Sequence, residues 1–157
     1  MTNPVHVDAP AGVPFIDITR EFDAPVSRVF AAHADPALVA KWMGPDRLET
    51  DITEWDFVSG GRWSFQQTEP GGESYGFRGT FHTVRTDELA IQTFEFLGYP
   101  DVVAVETLRF VDLDDDRTRL EIHSVYPSLE ARDGMVASGM EGGLTQGYAR
   151  LDTIVAG

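Results

Sequence analysis

Two glutamates sit in the apolar phase of otherwise hydrophobic stretches. Over residues 102–110, strand alternation places Glu106 on the face of Val102, Ala104, Leu108 and Phe110. Over residues 89–97 it places Glu95 with Leu89, Ile91 and Leu97. A carboxyl held among apolar groups has a raised pKa, because burial penalises its charged form. Such a group can act as a general acid or anchor a ligand. The alternative for each is a β-bulge, which shifts the register by one residue and turns the side chain outward.

Other chemistry-bearing residues read more plainly. Asp112, Asp114 and Asp116 have the spacing of the first three ligands of a calcium loop. That loop needs glycine at its sixth position and glutamate at its twelfth, where this chain has Arg117 and His123, so the segment reads as a solvated hairpin tip. The four histidines (His6, His33, His82 and His123) fall on separate elements and make no metal site by spacing. His123 alternates out of phase with Leu120 and Ile122, which points it away from any cavity those two face. No nucleophile elbow, phosphate loop or dinucleotide fingerprint is present, and Ser138 lies on an expected helix, the wrong setting for an activated serine. No cofactor and no metal are expected.

The aromatic residues carry the remaining signal. Trp63 and Phe65 share one strand face, Phe94 and Phe96 another, and Tyr75, Phe77 and Phe81 a third. Together with Trp42, Tyr99, Met135, Met140 and Tyr148, and with Glu106 as the polar member, Trp63, Phe65, Phe77, Phe94 and Phe96 are the candidate lining of an apolar cavity. Arg62, Glu106 and Tyr148 are the groups expected to lend selectivity. The competing reading is that the rings simply fill the core.

These side chains must be positioned by one domain, since 157 residues leave no room for a second. The absence of cysteine excludes disulfides, thiolate metal sites and cysteine nucleophiles. A formal charge of −14, with 12 basic residues against 26 acidic ones, leaves no basic patch for phosphates or anionic lipid. Nucleic acid and membrane are therefore poor partners. No stretch approaches the roughly 20 apolar residues of a membrane span, no signal peptide is visible, and the one asparagine, Asn3, precedes Pro4 and forms no glycosylation sequon. The expected location is cytoplasmic.

Residues 1–13, rich in Pro and Ala, are expected to form a flexible arm, with the domain over 14–157. Ile16, Ile18 and Phe22 alternate with polar residues as a half-buried strand. Pro25 then opens a helix, and Asp35-Pro36 opens another with an acidic N-cap and proline at its first position. Turn chemistry at residues 59–61, 69–72, 86–88, 98–101 and 112–116 divides residues 48–126 into six strand-like runs, the pattern of an antiparallel meander. Helical spacing resumes over residues 127–155, where Leu129, Met135, Val136, Met140, Leu144, Tyr148, Leu151 and Ile154 form one stripe interrupted by four glycines. The expected fold class is α+β, a curved antiparallel sheet of about seven strands. Two short helices and one long C-terminal helix complete it, the long one lying over a cavity.

Several runs resemble the START-like (SRPBCC) superfamily, in its branch named after the activator of the heat-shock-protein-90 ATPase. They are FDAPVSRVF at 22–30, KWMGP at 41–45, DFVSGGRWSF at 56–65, GTFHTV at 79–84 with DEL at 87–89, TRLEIHS at 118–124 and GYARLD at 147–152. Met43 stands where relatives often carry a second tryptophan, and Tyr148 where they often carry Trp. The resemblance implies the helix-grip fold and a binding cavity, but no fixed chemistry. The leading expectation is binding of a small hydrophobic or aromatic molecule. One alternative is an enzyme of the cyclase, dehydratase or hydrolase type using an inward carboxylate. A further one is a co-chaperone-like protein-interaction module. Pairing into a homodimer stays open.

Overall fold

In the computed structural model, which describes residues 3–156, the chain starts with strand β1 (Val5–Asp8) and strand β2 (Phe15–Phe22). Two short helices follow, α1 (Val26–Ala34) and α2 (Pro36–Trp42). The meander then runs through β3 (Glu49–Trp55), β4 (Arg62–Thr68), β5 (Ser74–Arg85), β6 (Leu89–Phe96), β7 (Val103–Asp112) and β8 (Thr118–Val125). Helices α3 (Leu129–Ala137) and α4 (Met140–Val155) close the chain.

All strands join one antiparallel sheet in the order β1-β2-β8-β7-β6-β5-β4-β3. The six expected meander strands are present. The additional, eighth strand is β1, which lies in the segment expected to be a flexible arm. Val5 and Val7 there alternate with His6 and Asp8, and the strand pairs with β2 from Val5 opposite Arg20 to Asp8 opposite Asp17. Four residues are too few for a periodic signal to stand out in a Pro- and Ala-rich run; the unpaired edge of β2 supplies the partner.

The helix starts follow their capping residues. Asp35 Oδ1 accepts from the Ala37 N–H at 2.9 Å, with Pro36 at the first helical position. Ser128 caps α3 through the Ala131 N–H at 3.0 Å. The expected long C-terminal helix is present as α4, but the helical run expected over residues 127–155 is divided into α3 and α4. Gly139 adopts φ 86°, a left-handed conformation that favours glycine and ends α3 two residues before α4 begins. As a result Leu129 and Val136 drop out of the buried stripe and are exposed.

Helix α4 lies across the concave face and buries Gly147, Tyr148, Leu151 and Val155. Gly147 is required there, since a Cβ at this position would sit 2.8 Å from the Trp42 carbonyl oxygen at the end of α2. Gly147 thus allows the close approach of α4 to α2. The main core joins Phe22, Val29, Phe30, Leu108, Phe110, Leu120 and Leu151. A second cluster, of Trp63, Phe65 and Phe81, lies under β4 and β5.

Candidate functional site

Between the sheet and α4 lies a pocket of about 270 Å³. Strand β4 contributes Trp63 and Phe65 on its inner face, their rings stacked at 5.4 Å. Phe77 on β5 stacks on Phe65 at 5.1 Å, and Phe94 on β6 lies 5.6 Å from Phe77. Trp42 from α2 stacks with Tyr148 of α4 at 5.9 Å. Met135 and Met140 line the pocket from either side of the helix break. Aromatic faces and thioethers therefore make most of the wall.

Two of the expected lining residues lie elsewhere. Phe96, two residues beyond Phe94, packs on Phe77 and Tyr75 outside the pocket. Tyr99 is 62% exposed in the turn between β6 and β7. The strand ends at Phe96, so alternation no longer dictates where the next aromatic points. Arg62 also faces away, largely exposed and paired with Glu54 at 3.3 Å.

The two glutamates separate. Glu106 keeps the phase of the buried Ala104, Leu108 and Phe110 and borders the pocket. Its Oε1 accepts from Gln92 Nε2 at 2.9 Å and its Oε2 from Ser124 Oγ at 3.0 Å. Burial raises its pKa, partly opposed by those two hydrogen bonds. Glu95 is not inward in this sense: β6 turns Ala90, Gln92 and Phe94 to the interior, so Glu95 belongs to the opposite face. The apparent apolar phase of Leu89, Ile91 and Leu97 misleads because Leu97 is exposed and Ile91 half-buried. Glu95 accepts from the Asp101 backbone N–H at 2.8 Å and from Arg78 Nε at 2.9 Å, which hold its pKa below the usual value.

Sequence assigned no pocket role to His33, Gln67, Gln92 and Tyr126, which line it, or to Ser124, which hydrogen-bonds Glu106 without lining it. Gln92, Ser124 and Tyr126 surround the Glu106 carboxyl from β6, β8 and the end of β8. Each sits in phase with inward residues, and that polar-in-apolar phase is the signal that finds them. His33 lines the pocket from α1, with Nδ1 2.8 Å from the Val29 carbonyl oxygen. A carbonyl only accepts, so Nδ1 carries the proton of the neutral ring and Nε2 is left as an acceptor. Burial pulls the His33 pKa down to about 4, opposed by the Val29 hydrogen bond. The Tyr126 and Tyr148 phenols are pushed up, first by burial and then by the nearby Glu106 charge.

Trp63 Nε1 is buried without a hydrogen-bond partner among the described residues. Its N–H edge lies against the backbone of Gly79. Trp55 and Phe57 complete the wall at the β3 end, with Trp55 Nε1 donating to the His33 carbonyl at 2.9 Å.

The remaining candidates have structural places. His123 is half-exposed on the outer face, its Nδ1 2.6 Å from Asp17 Oδ1. His82 lies on β5, with β6 and β7 between it and the β8 strand of His123. Asp114, Asp115 and Asp116 form the exposed turn between β7 and β8, all with positive φ. Among the described residues no cluster of three or more metal-ligating side chains occurs, and no helix is long and apolar enough to cross a membrane.

Comparison with known proteins agrees with this architecture. A solution structure of a protein from Arthrobacter aurescens is 27% identical and superposes with a TM-score of 0.86, covering 96% of this chain and 91% of that one. A crystal structure of a protein from Mycobacterium smegmatis is 26% identical with a TM-score of 0.86, covering 97% of both chains. An AHSA1 protein from Silicibacter pomeroyi, 19% identical over 90% of this chain and 97% of that one, shares the fold with a TM-score of 0.73. No curated protein matches the sequence. The α+β helix-grip fold is thus shared with solved structures, and in general terms it is the fold of a ligand-binding domain. The family model described as Activator of Hsp90 ATPase homolog 1-like protein (AHSA1) matches residues 23–156, and the chain belongs to that family.

Proposed function

We propose that this chain binds a small hydrophobic, aromatic molecule in the pocket between the sheet and α4. The observation that carries the reading is the composition of the wall: Trp63, Phe65, Phe77 and Phe94 from three adjacent strands face Tyr148 and Met140 across about 270 Å³. Burying apolar surface there supplies affinity at about 25 cal/mol per Å² before the costs of association. Orientation comes from the few polar groups around Glu106.

The test is native mass spectrometry of gently purified protein, followed by denaturing analysis of what is released. A discrete non-covalent mass is expected, and it should be lost from Leu144→Trp, whose indole would fill space that Leu144 now borders. Retention of the same mass by a folded L144W protein would remove the pocket from consideration.

A second reading is favoured by the same carboxyl. A buried acid with a raised pKa beside a small-molecule cavity is suited to proton transfer. Conversion of the released compound by the wild type, abolished in Glu106→Gln with binding retained, would establish an enzyme. Unchanged compound after prolonged incubation would leave binding alone.

A further inference from the structure

The pocket has a missing positive charge. Among the described residues, Glu106 is the one carboxyl on its wall, and neither lysine nor arginine lines it. Both Glu106 oxygens accept from neutral donors, Gln92 and Ser124, so no protein cation offsets its charge. Other acids with little exposure in this molecule are treated differently: Glu95 pairs with Arg78, and Asp152 with Arg20. Buried charges are ordinarily paired, since leaving one unmatched costs several kcal/mol, on the order of the desolvation penalty itself.

Nothing else on the wall supplies that charge. His33 is neutral, with its proton committed to the Val29 carbonyl. Tyr126 and Tyr148 are phenols. The rings around the carboxyl present π faces, which attract cations and repel anions. The whole chain carries a formal charge of −14, which further disfavours an anionic ligand and draws a cation toward it.

We infer that the ligand is an organic cation, an arylalkyl amine whose ammonium pairs with the Glu106 carboxylate while its ring lies among Trp63, Phe65 and Phe94. This rests on the pocket reading above and goes further by naming the ligand's charge. Gln92 and Ser124 then hold the carboxylate ready for the incoming ammonium, and the aromatic wall shields the pair from water.

Three probes of nearly the same shape separate the outcomes: 2-naphthylmethylamine, 2-naphthylmethanol and 2-naphthoate, titrated calorimetrically. Occupancy is followed by the indole N–H signals of Trp42, Trp55 and Trp63, all three of which line the pocket. The amine is expected to bind tighter than the alcohol by about tenfold or more, and the carboxylate to bind weakest. Glu106→Gln should erase the amine's advantage, bringing the amine and alcohol affinities within about twofold of each other. Equal or tighter binding of the alcohol or the carboxylate to the wild type would overturn the cation inference and leave the pocket reading intact. An amine advantage that survives in E106Q would overturn it as well. If none of the three shifts an indole signal, the pocket reading itself fails and this inference falls with it.

Discussion

The Arg20 guanidinium on β2 meets the Asp152 carboxylate on α4 through two parallel hydrogen bonds, Nη1 to Oδ1 at 2.8 Å and Nη2 to Oδ2 at 2.6 Å. Arg20 takes the place of an apolar residue on the buried face of its strand, between Ile18 and Phe22, and is 2% exposed. Its ion pair is a polar fastener between the N-terminal part of the sheet and the helix that roofs the pocket. Asp152→Ala strands the guanidinium without its partner. The expected loss is about 3 kcal/mol, typical of breaking a buried pair from one side. Urea denaturation of the variant would measure it, and a loss within experimental error of zero would show the pair to be dispensable.

The contact between α4 and α2 sets a steric test. Gly147→Ala places a methyl 2.8 Å from a backbone oxygen, which cannot swing aside as a side-chain tip can. Destabilisation of about 1–3 kcal/mol is expected from the forced shift. The same denaturation assay would detect it. Gly142→Ala is the matched control, because nothing lies within 4 Å of a Cβ there.

Two buried groups make opposite contributions to the pH dependence of stability. His33 takes up its proton near the ordinary histidine value of 6.5 when unfolded but only near pH 4 when folded. Between those values the unfolded chain binds more protons, so stability falls as pH falls through that window, by up to about 3 kcal/mol. Glu106 has a raised folded pKa, so its folded form holds the proton longer. Its contribution is greatest in acid and is lost as pH rises through that raised value. Glu106→Gln should therefore gain stability relative to the wild type as pH rises from 4 toward neutrality. Thermal midpoints across pH for both proteins check this sign, and NMR titration of the His33 ring should show it neutral down to about pH 4.

Phe94 and Tyr99 separate wall from surface. Phe94→Ala removes a ring that touches the pocket and should weaken ligand binding about tenfold or more, in keeping with the loss of a buried aromatic contact. Tyr99→Ala alters an exposed turn residue and should leave affinity unchanged. Equal effects from the two variants would place the ligand outside this pocket.

Much of this molecule is written in local pattern. Alternation marks the strands, and Asp35-Pro36 opens α2 where sequence places it, because a cap needs only its own first turn. The inward phase of Glu106 is legible for the same reason: Ala104, Leu108 and Phe110 declare the buried face of β7. The tertiary structure decided what local pattern leaves open. A strand has two faces, and which one a helix covers depends on elements far along the chain. Glu95 and Glu106 look alike in sequence, yet one meets Arg78 and the other the pocket. Gln92 and Ser124 converge on Glu106 from positions 14 and 18 residues away, through the register of β6 and β8 on β7. Strand β1 forms on the free edge of β2, and the left-handed backbone of Gly139 divides the last helical run. Sequence determined most of the elements, since local alternation and capping follow from each residue's neighbours. The packed fold decided which polar groups share a pocket, since that depends on distances between elements.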